Sequence, residues 1–525
     1  MGYNFLSYGC DQEFLLPPDA RDWLPADHLS WAVIDAVDEL DLGAFLAYYR
    51  SDGQGRPAYH PKMMTALVLY CYCKGIRSSR AVQMACFDDV GCRVITGNQA
   101  VDHATAARFV RRHRDALTGL FVQVLAVCAR EGLVTVDLVA GDGTKVKASA
   151  SKAASRTLEE LDVSIEELQK ALEAEVSAWW QQADLLDGQD DCEPAAADAD
   201  LAVPATAGTR KRTADRLARA EQAREMLAQR HGDTRSAVNA LEQARQRAAR
   251  AAKRLADETA AHQEKLVRYQ ASQQAKAEGA GGRAGRPPRP MDQAAKVCAA
   301  RAEEERADAA LQRALADPNK GNVPKGNTTD PHCRIMPAKA GGYMCARNLQ
   351  ALANDRQVIL AMLLHDNPID VGALHPLLKA GRANLDAIGI TTPIGKALFD
   401  AGYASEANFT AGCEADLLVA VHNEAATCGR DQAGDKTIPA AWAGMAATMD
   451  TPEAKEAYKK RQAIIEPVFG QLFARMGRNL NYRGEMAGTE LHLWGTTHNL
   501  LKCFRSRQRT QSGPATVQAP AQNAA

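Results

Sequence analysis

The apolar residues of this chain change period twice, and the two changes bracket a segment that reads as a helical insertion. "LVTVDLVAGD" within residues 131–150 is rich in Val and Leu, and the "TKVKASAS" that follows alternates, the period of a strand. Residues 151–325 turn helical. Over 210–268 Leu217, Leu227, Val238, Leu241, Leu255 and Leu266 mark only a thin apolar stripe where Lys and Arg outnumber Asp and Glu, which predicts a long exposed helix or helical hairpin. Strand-like text then returns in "QVILAMLLH" and "DLLVAVHN", separated by the helical "DVGALHPLLKAG". Strands that come first as neighbours and then alternate with helices predict an α/β fold, a mixed sheet with helices on its faces, interrupted by a helical insertion.

The flanks complete the layout. Residues 1–125 read as an all-helical domain, through "HLSWAVIDAVDEL" and "HPKMMTALVLYCYCKGI", the second opened by a proline near its start and closed by a glycine. The sheet domain is then split into 131–150 and 326–505. Three stretches predict loose or disordered chain: the acidic, alanine-rich 184–200, the Gly/Arg/Pro-rich 277–290, and the Gln/Ala/Pro-rich tail 506–525.

Composition excludes several classes. A net charge of −1 gives no overall pull toward polyanions, so local charge decides. The thirteen cysteines form no Cys-x-x-Cys pair and read as reduced, buried thiols of an intracellular protein rather than a zinc site. The N-terminus has no signal-peptide pattern, and no apolar run nears the ~20 residues of a membrane helix. A cytoplasmic chain with no membrane partner is expected.

Two groups of residues carry chemistry. Arg77, Arg80, Arg108, Arg111, Arg112 and Arg114 cluster around two short helical stretches, with Phe109, Val110, Leu117 and Phe121 free to face a core. A helix-turn-helix places basic residues this way to hold phosphates and present a helix to the major groove; a solvated arginine face would read the same. The second group is acidic: Asp142 in "VAGDGTK", Asp400 in "ALFDAGY" and Glu466 in "AIIEPVFG". Gly141 and Gly143 bracket Asp142 and predict a hairpin with the acid at its turn. Three converging carboxylates suit a two-metal site that cleaves phosphodiesters in line, and Mg²⁺ suits hard oxygen ligands.

These motifs, in this order, resemble the DDE transposases of bacterial insertion sequences: "DGT", then "FDAGY", then Tyr458 and Arg461 ahead of "EPVFG", then the closing "HNLLK". The branch numbered eleven-eighty-two is the most similar. The resemblance covers most of the chain, including "HP" and "GIRSSR" in the helical N-terminal part. It implies an RNase H-like catalytic domain, an N-terminal DNA-binding domain, and Asp142, Asp400 and Glu466 as ligands of two Mg²⁺ ions, with Mn²⁺ able to substitute. It further implies cleavage at terminal inverted repeats of double-stranded DNA, strand transfer into target DNA, a homodimer or higher assembly, and association with the nucleoid. Tyr458, Lys459 and Arg461 would support the site from its helix.

One departure carries an expectation of its own. The broader pattern puts Tyr and Arg one residue nearer the Glu, at the positions held here by Lys459 and Gln462. On a regular helix that turns Arg461 about 100° off its face, so a π-bulge or kink between Arg461 and Glu466, beside Pro467, is expected to restore it. A nuclease without strand transfer, and a catalytically silent DNA-binding or helical-assembly descendant, are the competing functions.

Overall fold

The computed structural model describes Asp22 and residues 24–52, 54–187, 205–231, 235–277, 287–316, 324–338, 341–421, 429–430, 436–437 and 440–512. Most of the predicted loose stretches (188–200, 278–286 and 513–525), and His422, lie outside them. Residues 506–512, expected in the tail, are the last turns of the final helix. The chain divides into two compact units, residues 1–154 with 329–525, and residues 155–328.

In the first unit the helices are α1 (Leu29–Asp38), α2 (Gly43–Leu46), α3 (Pro61–Cys73), α4 (Ser79–Asp88), α5 (Val90–Ile95), α6 (His103–Arg112) and α7 (Arg114–Arg130). Their starts are written locally. Pro61 occupies the first turn of α3 behind a His60 cap, while Ser78 caps α4 and Asp102 caps α6 through its backbone N–H groups, the roles these residues fill best at helix starts.

Strand β1 (Leu138–Lys147) follows as ten uninterrupted residues. No turn occurs at Asp142, contrary to the expected hairpin. Gly141 and Gly143 have no positive φ; they are small because the strand is crowded. A Cβ on Gly141 would overlap the Phe399 ring, and one on Gly143 would overlap the Gln350 amide and the Asp370 carboxylate.

The second unit, described by itself, is opened and closed by the paired segments β2 (Ser155–Arg156) and β3 (Gly326–Asn327). Between them run α8 (Leu158–Asp187), α9 (Ala205–His231), α10 (Arg235–Ala277) and α11 (Ala295–Ala316). α8 packs on α9, and α10 on α11. Its apolar core at Leu161, Ala223 and Leu227 is small, and polar pairs such as Arg254–Glu303 at 2.6 Å join the helices instead. Trp179 and Trp180 meet edge to face at 4.9 Å.

The sheet of the first unit resumes with β4 (Arg334–Pro337), β5 (Tyr343–Asn354) and β6 (Ile359–His365), then α12 (Leu374–Ala387), β7 (Lys396–Phe399), α13 (Glu406–Thr410) and β8 (Asp416–Val419). β5 runs antiparallel between β1 on one edge and β4 and β6 on the other; β7 and β8 continue the sheet beyond β1 in parallel. Helices α14 (Ala440–Asp450), α15 (Pro452–Lys459), α16 (Arg461–Met476) and α17 (Glu485–Ser512) follow. α12 packs on β5 and β6, so closely that a Cβ on Gly381 would lie 2.6 Å from Leu352. α16 lies on β1 and β5, and α17 lies on β6 and α7.

The mixed α/β architecture therefore stands. Residues 1–125 share one hydrophobic core with the sheet: Phe121 of α7 and Met362 of β6 both press on Gly495 of α17. Arg77 ties the same parts together. It bonds the Asn479 carbonyl at 2.8 Å and Glu490 at 2.9 Å, and it lies over the Trp494 ring.

Candidate active site

The site is set by where β1 loses a neighbour. β7 pairs with β1 only from Leu138 to Ala140, so two residues later Asp142 is flanked by β5 alone. Asp400 directly follows the last residue of β7. Alternation along β1 sends Asp142 to the face opposite Gly141 and Gly143. Both carboxylates thus lie just beyond the end of the parallel β1–β7 pairing, a location where ligands of open α/β sheets commonly bind.

Their electrostatics show the proximity. Burial pushes the Asp142 carboxyl up to about 6, and the negative charge of Asp400 pushes in the same direction, with Asp370 a smaller contributor. The Gly143 N–H donates to Asp142 Oδ1 at 2.7 Å and Arg461 Nη1 lies 3.6 Å from Oδ2; both oppose the rise. Asp400 caps the turn after β7, accepting from the Gly402 N–H at 2.9 Å.

Asp370 was not among the sequence candidates. It stands before α12, and its Oδ1 accepts from the side-chain amides of Asn348 and Gln350, each at 2.7 Å. Both amides project from β5 and are buried. The buried Tyr403 hydroxyl donates to the Gln350 carbonyl oxygen, and Asn408 fastens the backbone of Tyr403 and Val371 at 2.7 Å each. No buried side-chain nitrogen or oxygen of this network is left without a partner, as a buried polar network requires. The visible signal was "RNLQALAN": four polar residues in an otherwise apolar run, which hid a twelve-residue strand.

The helix expected to carry the third acid breaks at a different residue. α15 ends at Lys459, and the Lys460 N–H reaches back to Ala457 in a tightened turn before α16 begins at Arg461. From Arg461 through Glu466 to Met476 the helix is continuous, so no bulge lies between those two residues. Pro467 is accommodated otherwise. It leaves the Ala463 carbonyl without its helical donor, and the Gln357 side-chain amide supplies one at 3.0 Å. Five residues of regular helix place Glu466 about 140° round from Arg461, and Glu466 is exposed. It is not among the leading causes of the Asp142 shift.

Support residues divide likewise. Tyr458 donates to the Phe399 carbonyl at 3.1 Å beside Asp400, and its ring lies 6.0 Å from the Arg461 guanidinium. Arg461 is 11 % exposed, with Nη1 buried and lacking a hydrogen-bond acceptor. Lys459 is exposed and pairs with Glu456. Among the basic group, Arg77 is turned inward onto Glu490, and Arg114 pairs with Glu485; internal carboxylates have claimed both. Arg80 is exposed at the start of α4. Arg108, Arg111 and Arg112 stand together on α6 and line one cavity of about 630 Å³.

The donor chemistry of Asp142 and Asp400 fits a divalent cation. Two hard carboxylates, one carrying a pKa raised by burial and by the other's charge, gain from a shared positive ion, and Mg²⁺ is held by one or two carboxylates with substrate phosphate completing the shell. Among the described residues no group of three or more His, Cys, Asp or Glu is already disposed to hold a metal. No helix of the described residues is long and apolar enough to cross a membrane.

No curated protein and no solved structure matches the chain. Residues 18–112 match the family described as "Transposase domain (DUF772)", a match that supports a transposase family for this chain.

Proposed function

We propose that the chain is a DNA transposase whose cleavage centre is built on Asp142 and Asp400 in an RNase H-like domain. What supports this reading is that Asp142, just past the last β1–β7 pairing, and Asp400, just after β7, lie close enough for the charge of Asp400 to shift Asp142, in a chain whose N-terminal helices match a transposase domain. The six-stranded sheet, with β4, β6, β5 and β1 antiparallel and β7 and β8 added parallel to β1, supports the RNase H-like reading.

Asp142 and Asp400 would hold divalent cations, Mg²⁺ or Mn²⁺, which when bound supply activation of the attacking oxygen and neutralisation of charge on the phosphate. Arg461, beside Asp142 with a guanidinium nitrogen still lacking an acceptor, would orient a phosphate oxygen of the scissile strand. Tyr458 fixes the Phe399 carbonyl and so the approach to Asp400. Glu466 enters as third ligand on its sequence motif, and Asp370, whose charge also acts on Asp142, is the alternative. The substrate is double-stranded DNA at the terminal inverted repeats, cleaved and joined to a target by a homodimer or larger assembly.

The test is Mg²⁺-dependent cleavage of a terminal-repeat duplex. Asp142→Asn and Asp400→Asn should each lower cleavage at least a thousandfold while duplex binding changes less than threefold; retained cleavage in either would remove the site. Comparing Glu466→Gln with Asp370→Asn identifies the third carboxylate. An assay for joined products separates transposase from nuclease.

A further inference from the structure

Two groups of arginines stand among residues 50–130. Arg50, Arg77, Arg114 and Arg130 are each paired with a carboxylate. Among the described residues, Arg56, Arg108, Arg111 and Arg112 form no ion pair, and these four surround two adjoining cavities. The first, about 630 Å³, is lined by Tyr48, Ala104, Arg108, Arg111 and Arg112. The second, about 610 Å³, has Arg108 and Arg112 in its wall as well, with Arg56, Tyr59 and Thr105 beside them. Arg108 and Arg112 are one helical turn apart, so like charges stand side by side on the wall common to both. The one carboxylate at the second cavity, Asp102, already accepts from the N–H groups of Ala104 and Thr105 as the α6 cap.

Aromatic surface accompanies the charge. His113 is fully buried beneath α6, with the rings of Phe45, Tyr48, Tyr49 and Phe109 against it at 4.6–5.6 Å. Burial and the charge of Arg112 push His113 down to about 4, so it adds no positive charge there. Tyr49 is stacked on His113 and its hydroxyl meets Nε2 at 3.2 Å. Tyr48 touches His113 only edge-on and is 53 % exposed, so its ring has surface left for a ligand.

Unpaired guanidinium forks select phosphate, which they grip by paired N–H donors. An exposed ring beside them selects a planar base, since stacking tolerates any base. Cavities of this size are in the range of small-ligand sites, roughly 300–1,000 Å³, large enough for a nucleotide and too small for a duplex.

We propose that the first of these cavities holds a single unstacked nucleotide of a DNA strand, its base on Tyr48 and its flanking phosphates on Arg108 and Arg112, with Arg56 receiving the next phosphate. The inference rests on the DNA-handling reading above, but on none of its catalytic residues.

The test is binding by the full-length chain, without divalent cation, to two short labelled duplexes. One is perfectly paired; the other carries one additional unpaired nucleotide. The unpaired nucleotide should raise affinity at least tenfold in the parent protein. Tyr48→Ala, at an exposed ring, should abolish that advantage while binding of the perfect duplex changes less than twofold. The charge-preserving pair Arg108→Lys with Arg112→Lys should reduce it at least fivefold, because lysine lacks the fork. Equal affinity of the parent for both duplexes overturns the proposal, as does an advantage that survives Tyr48→Ala in a protein whose melting is unchanged. Because no cleavage is read, either result leaves the carboxylate site standing or falling on its own assay.

Discussion

Asp142 carries a cost that its sequence neighbours do not announce. A carboxyl raised to about 6 by burial and by Asp400 binds its proton more tightly folded than unfolded. The native state is therefore favoured at low pH, and stability falls as pH rises from the unfolded value of ~4 through about 6, with the full cost present above that. Without divalent cation, Asp142→Asn should be more stable than the parent above pH 6, by on the order of 2 kcal/mol, and equal to it near pH 4. Thermal melts across that range measure this. Mg²⁺ should raise the parent's melting temperature at pH 7.5 and leave that of Asp142→Asn unchanged. Gly143 is a second case. Its motif reads as a turn, yet its smallness serves the Gln350 and Asp370 side chains. Gly143→Ala should therefore destabilise by about 1–3 kcal/mol, the range for overpacking a tight site, as read from denaturant midpoints. That crowding depends on residues some two hundred positions away, which no local pattern contains. Asp142 and Asp400 could be singled out as candidates because the neighbours of each are local; Asp370 could not, because what marks it is a pair of amides on another strand.

At the scale of elements, the legible parts were those with one clean period. The apolar strands β6 and β8 and the helices α12 and α17 follow it. β5 does not: Arg347, Asn348, Gln350 and Asn354 are buried within it. Each carries a hydrogen bond made elsewhere in the fold, Asn354 for instance donating to the Leu133 carbonyl at 2.8 Å. The α15–α16 break was legible as a need but not as a place, because the proline that suggests it is satisfied from outside the helix. Gln357, in the turn between β5 and β6 with φ of 63°, donates to Ala463. It also accepts from Lys502 through its side chain and from His498 through its carbonyl, at 2.8 and 2.9 Å. Gln357→Ala removes the side-chain bonds and should cost about 1–3 kcal/mol. Pro467→Ala restores a helical N–H to the Ala463 carbonyl. In a double-mutant cycle it should recover about 1 kcal/mol of that loss; strict additivity would show that the carbonyl does not need the donor.

For the whole molecule, the period changes fall near the bounds of the compact unit at residues 155–328, but period says nothing about what shares a core. The N-terminal helices read as a separate domain because their apolar faces look self-sufficient along the chain. α3 is the counterexample: from Met63 to Cys73 every residue is buried, more than one face of a helix in a small bundle hides, and part of that surface lies against α17. Arg77 closes the same seam. Its partner Glu490 is 0 % exposed and also accepts from the N–H groups of Asn481 and Tyr482, at 2.8 and 3.0 Å. Removing the guanidinium leaves that carboxylate buried with its cation gone, a loss in the range of about 3–5 kcal/mol. Arg77→Ala should therefore lower the melting of helices and sheet together. Fragment 1–125 alone should expose apolar surface and fail to melt cooperatively, while hydrogen exchange in the intact chain should show α3, β6 and α17 opening as one unit. Independent exchange of α3 at a lower free energy would mean that the seam is an interface between domains and not a core.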